Sequence, residues 1–408
     1  MRCSHCGNEL QLDFLDLGGA PPSNAYLSLE DLSRAERHFP LRVAVCTGCW
    51  LVQTRYLAEA GELFTPDYAY FSSFSTSWLA HAQRYVARMA DRLGLGPGSL
   101  VAEIAANDGY LLQYVAERGI PCYGVEPTRG TAAAARAKGI EIVEEFFGAR
   151  LAGELAAAGK QADLLVANNV LAHVPDLNDF VSGFALLLKP GGTATFEFPH
   201  LLRLVEGNQF DTVYHEHFSY LSLTAVSRIF RENGLAVYHV EELSSHGGSL
   251  RVYARRADCG GADPSPEVLE LLERERAAGM LTPSFYAGFQ GRAERVKDDL
   301  LGFLLEAKRA GKVVLAYGAA AKGNTLLNYA GVRPDLLPLV VDRNPAKQGH
   351  YLPGSRIPIV DESCLSVRRP DYVLILPWNL RDEVTAQLDF IRQWGGRFVT
   401  AVPSLAVY

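Results

Sequence analysis

The sequence predicts an α/β protein with an N-terminal zinc-binding module, a central Rossmann-like domain and a C-terminal Rossmann-like domain. Three observations lead to this fold class. Two closely spaced cysteine pairs lie in the first fifty residues, buried strands alternate with helices from residue 100, and the same alternation restarts near residue 312. The predicted boundaries are 1–68 for the zinc-binding module, 69–260 for the central domain, 261–310 for a helical connector and 311–408 for the C-terminal domain.

The composition limits the partners that the chain can have. Its 408 residues are enough for two or three domains. The net charge of −7 argues against a nucleic-acid partner, because phosphate binding needs a basic face. No apolar run approaches the roughly 20 residues of a membrane span, and the N-terminus lacks the apolar core of a signal peptide. We therefore expect a cytoplasmic protein that does not bind membranes and whose cysteines are reduced or metal-bound.

Four cysteines form two pairs with metal-ligand spacing. Cys3 and Cys6 make the first pair, Cys46 and Cys49 make the second, and 39 residues lie between the pairs. Two such pairs can complete the tetrahedral thiolate shell of one zinc ion. Because four thiolates leave no open coordination position, we expect a structural zinc rather than a catalytic one. Free or redox-active cysteines are the alternative.

The central domain begins with the pattern of a nucleoside-binding fold. A helix is predicted over 78–93 and a buried strand over 100–104, and a small-residue turn then leads into a helix at 110–118 and a strand at 122–125. An acid after the second strand can accept hydrogen bonds from ribose hydroxyls. The turn has a single glycine, which suits a dinucleotide poorly and a phosphate-free ligand such as S-adenosylmethionine better. The candidate cofactor-binding residues are Glu103, Ala105, Asn107, Gly109 and Glu126.

Further candidates follow the later strands of this domain. Strands are predicted at 141–143, 163–167 and 193–198. Ligands of such sheets collect at the carboxyl ends of the strands. Those positions carry Asn168, His173 and Glu197, and Phe146 with Phe147 can flank an adenine ring.

Two imidazoles, a carboxylate and a phenol occur within residues 214–218 (YHEHF). Groups that take, give or stabilise a proton near neutral pH are typical of a catalytic site. A polar loop with solvated histidines is one alternative. A metal site is another, because His215 and His217 would face the same way on a strand.

The C-terminal domain repeats the pattern of the central one. Strands are predicted at 312–317, 337–341 and 372–376, with a small-residue turn into a helix at 318–325. Backbone N–H groups at the start of a helix suit a phosphate group, and a lysine in the turn adds positive charge. The candidate substrate-binding residues are Tyr317, Gly318, Lys322, Asn324 and Asp342, with Asp342 near the ribose. The alternative is a degenerate duplicate that only braces the cleft.

Five motifs occur in one order along the chain: EIAANDG at 103–109, NNVLAHVP at 168–175, YHEHF at 214–218, HGGSLR at 246–251 and YGAAAK at 317–322. In this combination they resemble the three-domain sugar C-methyltransferases, which use S-adenosylmethionine to methylate C3 of nucleotide-linked 4-keto-deoxyhexoses. The resemblance spans essentially the whole chain and implies a class I methyltransferase Rossmann-like fold for the central domain. Two departures stand out. Ala105 occupies a position that is often Gly, which we expect to matter little because Ala is nearly as small, and His215 replaces an acid of some sugar enzymes.

The resemblance also implies a role for each residue of the 214–218 loop. His217 corresponds to the base of the family, and Glu216 positions or polarises the reacting groups. Tyr214, His173 and Tyr70 would line the sugar, although Tyr70 can also be read as a plain hinge aromatic. The implied partners are a small nucleotide-sugar substrate and S-adenosylmethionine, and we expect the chain to act as a monomer.

Two other classes of function remain open from the residues alone. The first is an oxidoreductase, in which the small-residue turn of the C-terminal domain would bind a nicotinamide dinucleotide, although the chain lacks the usual glycine-rich fingerprint. A zinc-ribbon scaffold would need no catalytic loop. A methyltransferase acting on oxygen or nitrogen is a third alternative, within the same class as the leading hypothesis.

Overall fold

The computed structural model describes residues 1–55, 71–260 and 263–408. The predicted α/β fold class is confirmed, with Rossmann-like sheets and a cysteine cluster near the N-terminus. Tyr70 and the predicted boundaries after residues 68 and 260 lie at or outside the limits of the described residues.

The N-terminal module is built on an antiparallel sheet. Its strands are β1 (Leu12–Ala20), β2 (Phe39–Val45) and β3 (Val52–Thr54), with a 3₁₀ turn at Glu30–Ser33 between the first two. Each cysteine pair lies in a tight turn. The backbone N–H of Gly7 donates to the carbonyl of Cys3, and that of Trp50 donates to the carbonyl of Cys46. The second turn connects β2 to β3, so both pairs meet at one end of the sheet.

The central domain is a mostly parallel sheet covered by helices on both faces. Its strands are β4 (Val101–Ile104), β5 (Cys122–Val125), β6 (Glu141–Val143), β7 (Ala162–Asn168), β8 (Leu188–Pro199), β10 (Leu235–Leu243) and β11 (Ser249–Arg256), with the short β9 (Ser219–Tyr220) outside this sheet. The strand order β10-β11-β8-β7-β4-β5-β6 reverses direction at β4, where ligands of doubly wound sheets bind. The helices are α1 (Thr76–Leu93), α2 (Leu112–Ala116), α3 (Arg129–Ala137), α4 (Ala149–Ala157), α5 (Leu177–Leu187), α6 (Leu201–Glu206) and α7 (Leu223–Glu232).

The strand that follows the YHEHF loop belongs to the N-terminal sheet. β9 pairs antiparallel with β3, so the sheet has the order β1-β2-β3-β9. The backbone N–H of Thr54 also donates to the carbonyl of Phe218, at 3.0 Å. The zinc-binding module therefore holds the polypeptide immediately after residues 214–217.

The predicted connector consists of α8 (Pro266–Ala277), α9 (Pro283–Tyr286) and α10 (Phe289–Arg309). The first helix packs on the central domain, because Val268 and Leu271 belong to its core. The long α10 instead joins a core shared by the N-terminal sheet and the C-terminal domain, where Phe289 stacks on Phe14 at 4.6 Å between ring centroids.

The C-terminal domain is a second Rossmann-like unit. Its strands are β12 (Val314–Tyr317), β13 (Val340–Val341), β14 (Ile359–Val360), β15 (Tyr372–Ile375), β16 (Arg397–Thr400) and β17 (Ala406–Val407), in the order β14-β13-β12-β15-β16-β17. All pairs are parallel except that between β16 and β17. Its helices are α11 (Ala321–Tyr329), α12 (Ser363–Arg368) and α13 (Arg381–Gln387).

A carboxylate of the connector caps the helix that follows the YHEHF loop. The side chain of Glu275 in α8 is 0% exposed. It accepts hydrogen bonds from the backbone N–H groups of Leu223 and Thr224, at 2.7 and 2.8 Å, and its Oε1 lies 2.7 Å from Nε2 of His200. These N–H groups open α7 and have no partner within the helix, so the carboxylate satisfies donors that burial would otherwise leave unpaired.

We expect Glu275→Ala to lower the free energy of unfolding by about 3 kcal/mol or more, because it leaves buried donors without an acceptor. Chemical denaturation checks this, with Glu270→Ala as the matched control. Glu270 is an exposed glutamate of the same helix, and its loss should change stability by less than about 0.5 kcal/mol. Equal stability of the two variants would mean that α7 needs no cap from the connector.

Candidate functional site

The four cysteine thiols have the arrangement of a structural zinc site. The Sγ atoms of Cys3 and Cys49 lie 3.5 Å apart, those of Cys6 and Cys46 lie 3.4 Å apart, and all four are within 4.8 Å of one another. A regular tetrahedron with a zinc–sulfur distance of about 2.3 Å has sulfur–sulfur edges of roughly 3.8 Å. The donor set therefore fits zinc and provides all of its ligands.

Both zinc knuckles contact the central domain. His5, between the first two cysteines, donates from Nδ1 to Oδ1 of Asn178 in α5 at 2.7 Å. The guanidinium of Arg228 in α7 donates to the carbonyl of Gly48, between the other two cysteines. The zinc site therefore stabilises both its own module and the contact of that module with α5 and α7.

The turn after β4 and the acid after β5 form one hydrogen-bonded unit. Glu126 accepts from the backbone N–H of Asn107 through Oε2 and from the N–H of Thr128 through Oε1, each at 2.9 Å. The backbone of Ala105 has φ +58°, in the left-handed region that favours glycine. The departure from Gly at this position is therefore a matter of backbone strain rather than of side-chain size.

Buried oxygen atoms that are poorly satisfied lie beside this turn. Among the described residues, the carboxylate oxygens of Glu103 and Oδ1 of Asn168 have no hydrogen bond of normal geometry, and the Tyr110 hydroxyl is a donor close to both. Glu103 is the second-to-last residue of β4, and Asn168 is the last residue of the adjacent β7. Burial raises the pKa of the Glu103 carboxyl well above its usual range. Buried polar groups are normally satisfied. These unsatisfied acceptors fit a ligand with hydroxyl and ammonium donors, such as S-adenosylmethionine.

The two phenylalanines expected at the adenine lie in different environments. Phe146 is 56% exposed and lies just after β6, at the carboxyl end of that strand. Phe147 packs against Phe180 and Phe184 of α5, at 5.5 and 5.3 Å between ring centroids. Phe146 is thus the better placed of the two to contact a ligand.

Gly109, the one glycine of the turn after β4, has φ +75° and lies against Ile140. A Cβ atom at residue 109 would be 2.5 Å from Cδ1 of Ile140.

Glu126→Ala should weaken S-adenosylmethionine binding by on the order of ten- to a hundredfold. The expected cause is loss of the charge-assisted hydrogen bonds from the ribose hydroxyls of the ligand to this carboxylate, worth about 1.5–3 kcal/mol. Calorimetry measures this directly. Glu144→Ala is the control, because Glu144 follows β6 on the surface and pairs there with Arg136. An unchanged dissociation constant in Glu126→Ala would place the cofactor elsewhere.

His217 is held in one tautomer. Its Nδ1 lies 2.8 Å from the carbonyl oxygen of Thr212. A carbonyl oxygen can only accept, so the proton is on Nδ1 and the lone pair is on Nε2. Burial, together with the nearby imidazole of His173, lowers the pKa of His217 well below its usual value. The ring is therefore neutral at pH 7, and Nε2 has no hydrogen-bond partner among the described residues.

His173 and Tyr214 surround this imidazole. The ring centroids of His173 and His217 lie 4.6 Å apart. Nδ1 of His173 donates to the carbonyl of Glu216 at 2.7 Å. Burial lowers the pKa of His173 to about 4. The ring centroids of Tyr214 and His217 lie 3.9 Å apart. The structure thus brings together three residues that the sequence placed in one site.

His215 and Glu216 point toward the N-terminal module. Nε2 of His215 donates to the carbonyl of Phe39 at 3.1 Å, and Oε1 of Glu216 accepts from Nδ2 of Asn24 at 3.1 Å. Burial raises the pKa of the Glu216 carboxyl. Within the described parts of the chain, the four cysteines are the one group placed to hold a metal, so the structure does not favour the hypothesis of a metal between His215 and His217.

The C-terminal domain contributes a cation to this site. Nζ of Lys322 donates to Oδ1 of Asn379 at 2.7 Å and lies 4.5 Å from the centroid of the Trp378 ring. Burial lowers the pKa of Lys322, and its charge in turn acts to lower the pKa values of His217 and His246. Lys322 therefore faces the central domain across the cleft.

One acid of this cleft was not among the residues predicted from the sequence. Asp211 is 0% exposed, and its Oδ2 accepts from Nε1 of Trp378 at 2.7 Å. Burial raises its pKa to about 6, although the Lys322 charge acts in the opposite direction. No motif marks Asp211, which lies three residues before the YHEHF loop in an ordinary 3₁₀ turn.

A buried ion pair between Arg251, the last residue of the HGGSLR motif, and Glu197 of β8 stabilises this motif. Arg251 donates to Oε2 of Glu197 at 2.5 Å, and Oε1 of Glu197 accepts from the hydroxyl of Ser245. Burial alone would raise the pKa of Glu197, but the His81 hydrogen bond and the Arg251 charge hold it at about 2. Glu197 is thus fully used in structure, and it supports the loop that carries His246.

The remaining predicted substrate-binding residues lie around the turn after β12. Asp342 accepts from the backbone N–H of Ala319 at 2.7 Å and from that of Asn344 at 2.8 Å, the same pattern that Glu126 shows in the central domain. Nδ2 of buried Asn324 donates to the carbonyl of Ser23. Gly318 has φ +91°, and a Cβ atom there would lie 2.5 Å from Pro377. The hydroxyl of Tyr317 accepts from Gln387.

Comparisons with known proteins show the family. Residues 3–64 match a family model described as "Putative zinc binding domain", 78–240 match "Methyltransferase domain" and 244–403 match "C-methyltransferase C-terminal domain". The C-methyltransferase NovU of Streptomyces niveus is 35% identical over 401 residues, which cover 98% of this chain and 95% of the relative.

The chain belongs to the S-adenosylmethionine-dependent sugar C-methyltransferase family. It is a C-methyltransferase with a structural zinc site, which removes the oxidoreductase and scaffold alternatives. No helix of the described residues is long and apolar enough to cross a membrane.

Likenesses to solved structures are much more remote. Magnesium protoporphyrin IX methyltransferase from Synechocystis PCC 6803 is 18% identical, with a TM-score of 0.34 over 44% of this chain and 82% of that one. The CcbJ methyltransferase from Streptomyces caelestis is 13% identical, with a TM-score of 0.35 over 43% and 89% of the two chains. At these scores, neither bears on the function of this chain.

Proposed function

We propose that this chain methylates C3 of a nucleotide-linked 4-keto-deoxy sugar, with His217 as the base that forms the enolate. The observation that carries the proposal is the state of His217. Its Nδ1–H is engaged by the Thr212 carbonyl, its Nε2 carries the lone pair, and burial keeps the ring neutral. A neutral, fixed imidazole with one accepting nitrogen is what removal of a weakly acidic proton requires.

The chemistry follows from the acidity of a C–H bond beside a ketone. Nε2 of His217 takes the C3 proton, and the electron pair of the C–H bond becomes the enolate, with its charge on the C4 oxygen. Bound S-adenosylmethionine would supply an electrophilic methyl group, and Glu126, Asn107, Glu103, Asn168 and Phe146 are the residues that would hold it. The proton stays on His217, which must release it to solvent before the next turnover.

Neighbouring residues support the base and line the sugar. Tyr214 and His173 pack on the His217 ring and leave it a narrow range of orientations. Glu216 is fixed by Asn24 and, through its backbone carbonyl, orients His173. Positioning of this kind supplies much of the rate in reactions whose methyl group is already activated. Tyr70, proposed as a further sugar contact, lies outside the described residues.

The proposed nucleotide site is the turn after β12. It combines Lys322 with the N-terminus of α11, a nine-residue helix. The first N–H groups of a helix have no partner within it and suit a phosphate group. Tyr317, Gly318, Asn324 and Asp342 surround this turn, as described above. The nucleotide-sugar substrate, the cytoplasmic location and the monomeric state stay predictions.

The experiment is incubation with S-adenosylmethionine carrying a labelled methyl group and a panel of nucleotide-linked 4-keto sugars. We expect label on a carbon beside the ketone, and exchange of the C3 hydrogen with deuterated water in the absence of methyl transfer. Label on an oxygen or nitrogen, without exchange at C3, would show that the chain methylates a heteroatom and would refute the proposal.

A further inference from the structure

The hydrogen bond that fixes His217 depends on one backbone carbonyl. That carbonyl belongs to Thr212, the last residue of the 3₁₀ turn Phe210–Thr212. The orientation of the imidazole, and the nitrogen that carries its lone pair, therefore depend on how firmly residues 211–213 are held. The structure anchors the residues on both sides of Thr212, and both anchors come from the C-terminal domain.

The first anchor is Trp378, which follows β15. Its indole Nε1–H donates to Oδ2 of Asp211 at 2.7 Å. Asp211 is fully buried, and its other oxygen has no hydrogen-bond partner among the described residues. An indole donor to a buried carboxylate is charge-assisted and therefore strong. Trp378 also packs on the central domain at Gly247, where a Cβ atom would lie 2.5 Å from the ring.

The second anchor is Thr325 in α11. Its hydroxyl donates to the carbonyl of Val213 at 3.0 Å, and the side chain is buried. Phe210 packs on the same helix, with its ring 5.6 Å from that of Tyr329. Residues 210, 211 and 213 are thus each bound by the C-terminal domain, while the carbonyl of residue 212 remains for His217.

We propose that the C-terminal domain positions the catalytic base. Two hydrogen bonds, from Trp378 to Asp211 and from Thr325 to Val213, form what we call the clasp. The clasp keeps the Thr212 carbonyl in the place where it holds His217 in its Nδ1–H tautomer. This role is distinct from substrate binding by the same domain. It rests on the proposed function for its effect on turnover, but the effect on the His217 tautomer is independent of any reaction. Trp378 and Thr325 are positioning residues, because they act on His217 through residues 211–213.

The clasp has a physical consequence for catalysis. A base whose lone pair moves to the other ring nitrogen, or whose ring turns away, no longer meets the C–H bond in line. Misplacement by about 1 Å is enough to slow such a reaction by on the order of a hundredfold. Loss of the clasp should therefore lower kcat and leave the binding of both ligands almost unchanged.

The test compares Trp378→Phe, Thr325→Val and the double variant with the parent chain. Phe keeps the ring and removes the donor, and Val keeps the shape and removes the hydroxyl. The controls are Trp394→Phe and Thr385→Val, which remove equivalent donors to the carbonyls of Pro370 and Asp382 elsewhere in the same domain. Thr325→Ser restores the hydroxyl and should restore the parent behaviour.

Two readouts are needed. Ring nitrogen NMR of protein labelled with ¹⁵N-histidine reports the tautomer of His217, assigned with a His217→Gln sample. Steady-state kinetics separate kcat from KM, and calorimetry and elemental analysis confirm that S-adenosylmethionine binding and zinc are retained. We expect the double variant to show a mixed His217 tautomer and a kcat lower by about ten- to a hundredfold, with KM within about twofold of the parent.

The possible results separate the two proposals. An unchanged His217 tautomer in the double variant overturns the clasp. A changed tautomer with unchanged kcat supports the clasp and shows that His217 is not the base, so that the proposed mechanism fails instead. If the double variant does not fold, the single variants and Thr325→Ser give the same comparison. Identical losses in the two control variants would show a general weakening of the domain and would also refute the clasp.

Discussion

Replacing His217 by asparagine is expected to slow methyl transfer by roughly a hundred- to ten-thousandfold while both ligands still bind. The amide can still donate to the Thr212 carbonyl, so the loop should keep its shape. The basic nitrogen is lost, because an amide does not accept a proton near neutral pH. Exchange of the C3 hydrogen of the keto sugar with deuterated water should fall in parallel, since the base acts before or during transfer.

The neighbouring residues provide matched comparisons for this variant. His215→Asn should have little effect on turnover, because Nε2 of His215 is bound to the carbonyl of Phe39 in the N-terminal module. Glu216→Gln should impair turnover less than His217→Asn, because an amide keeps the shape and loses the charge. If His217→Asn exchanges and methylates normally while His215→Asn is inactive, the base has been assigned to the wrong histidine. If both remain active, His173 is the next candidate.

Removal of the zinc ligand Cys46 should abolish methyl transfer while S-adenosylmethionine binding is largely retained. Ligation energy is folding energy, and apparent values of about 10–16 kcal/mol are typical of structural zinc in small peptides. The cysteine pair at 46 and 49 connects β2 to β3, and β3 pairs with β9 directly after the YHEHF loop. Loss of the metal should therefore release the polypeptide that follows His217.

Cys46→Ser and Cys259→Ser make the matched pair for this prediction. Cys259 is exposed and lies outside the cysteine cluster, so its replacement should change neither metal content nor rate. Elemental analysis, calorimetry with S-adenosylmethionine and the methyl-transfer assay measure the three quantities. Full methyl transfer by a Cys46→Ser protein that contains well under one zinc per chain would show that the module does not support the catalytic loop.

Elements with strong local patterns were predicted well. The helix expected at 78–93 is α1 (Thr76–Leu93), and the strand expected at 122–125 is β5 (Cys122–Val125). The strand expected at 193–198 already begins at Leu188 in the structure, and it includes the helix-breaking residues Pro190, Gly191 and Gly192. A register irregularity lets β8 continue past these residues, and no local pattern shows it.

The cleft between the domains was predicted only in part. The YHEHF loop, Lys322 and the acid after the second strand of each Rossmann-like domain, Glu126 and Asp342, are marked by spacing and residue type. Asp211 and Trp378 are not, because each takes its role from a partner 167 residues away in the chain. The membership of β9 in the N-terminal sheet is likewise a long-range pairing, and two residues carry too little pattern to reveal it.

The sequence by itself determined the zinc ligands, the two Rossmann-like domains and the family, because these depend on residue type and on spacing along the chain. The resemblance already implied His217 as the base, and the tertiary structure supplies the physical difference between the two histidines of the YHEHF loop that supports this proposal. His215 and His217 are chemically identical, and they differ in that one donates to Phe39 and the other to Thr212. The tautomer, the neutral state and the accepting nitrogen of His217 arise from burial and from the Thr212 carbonyl, whose chain neighbours Asp211 and Val213 are bound by another domain. These are properties of packing rather than of any local segment.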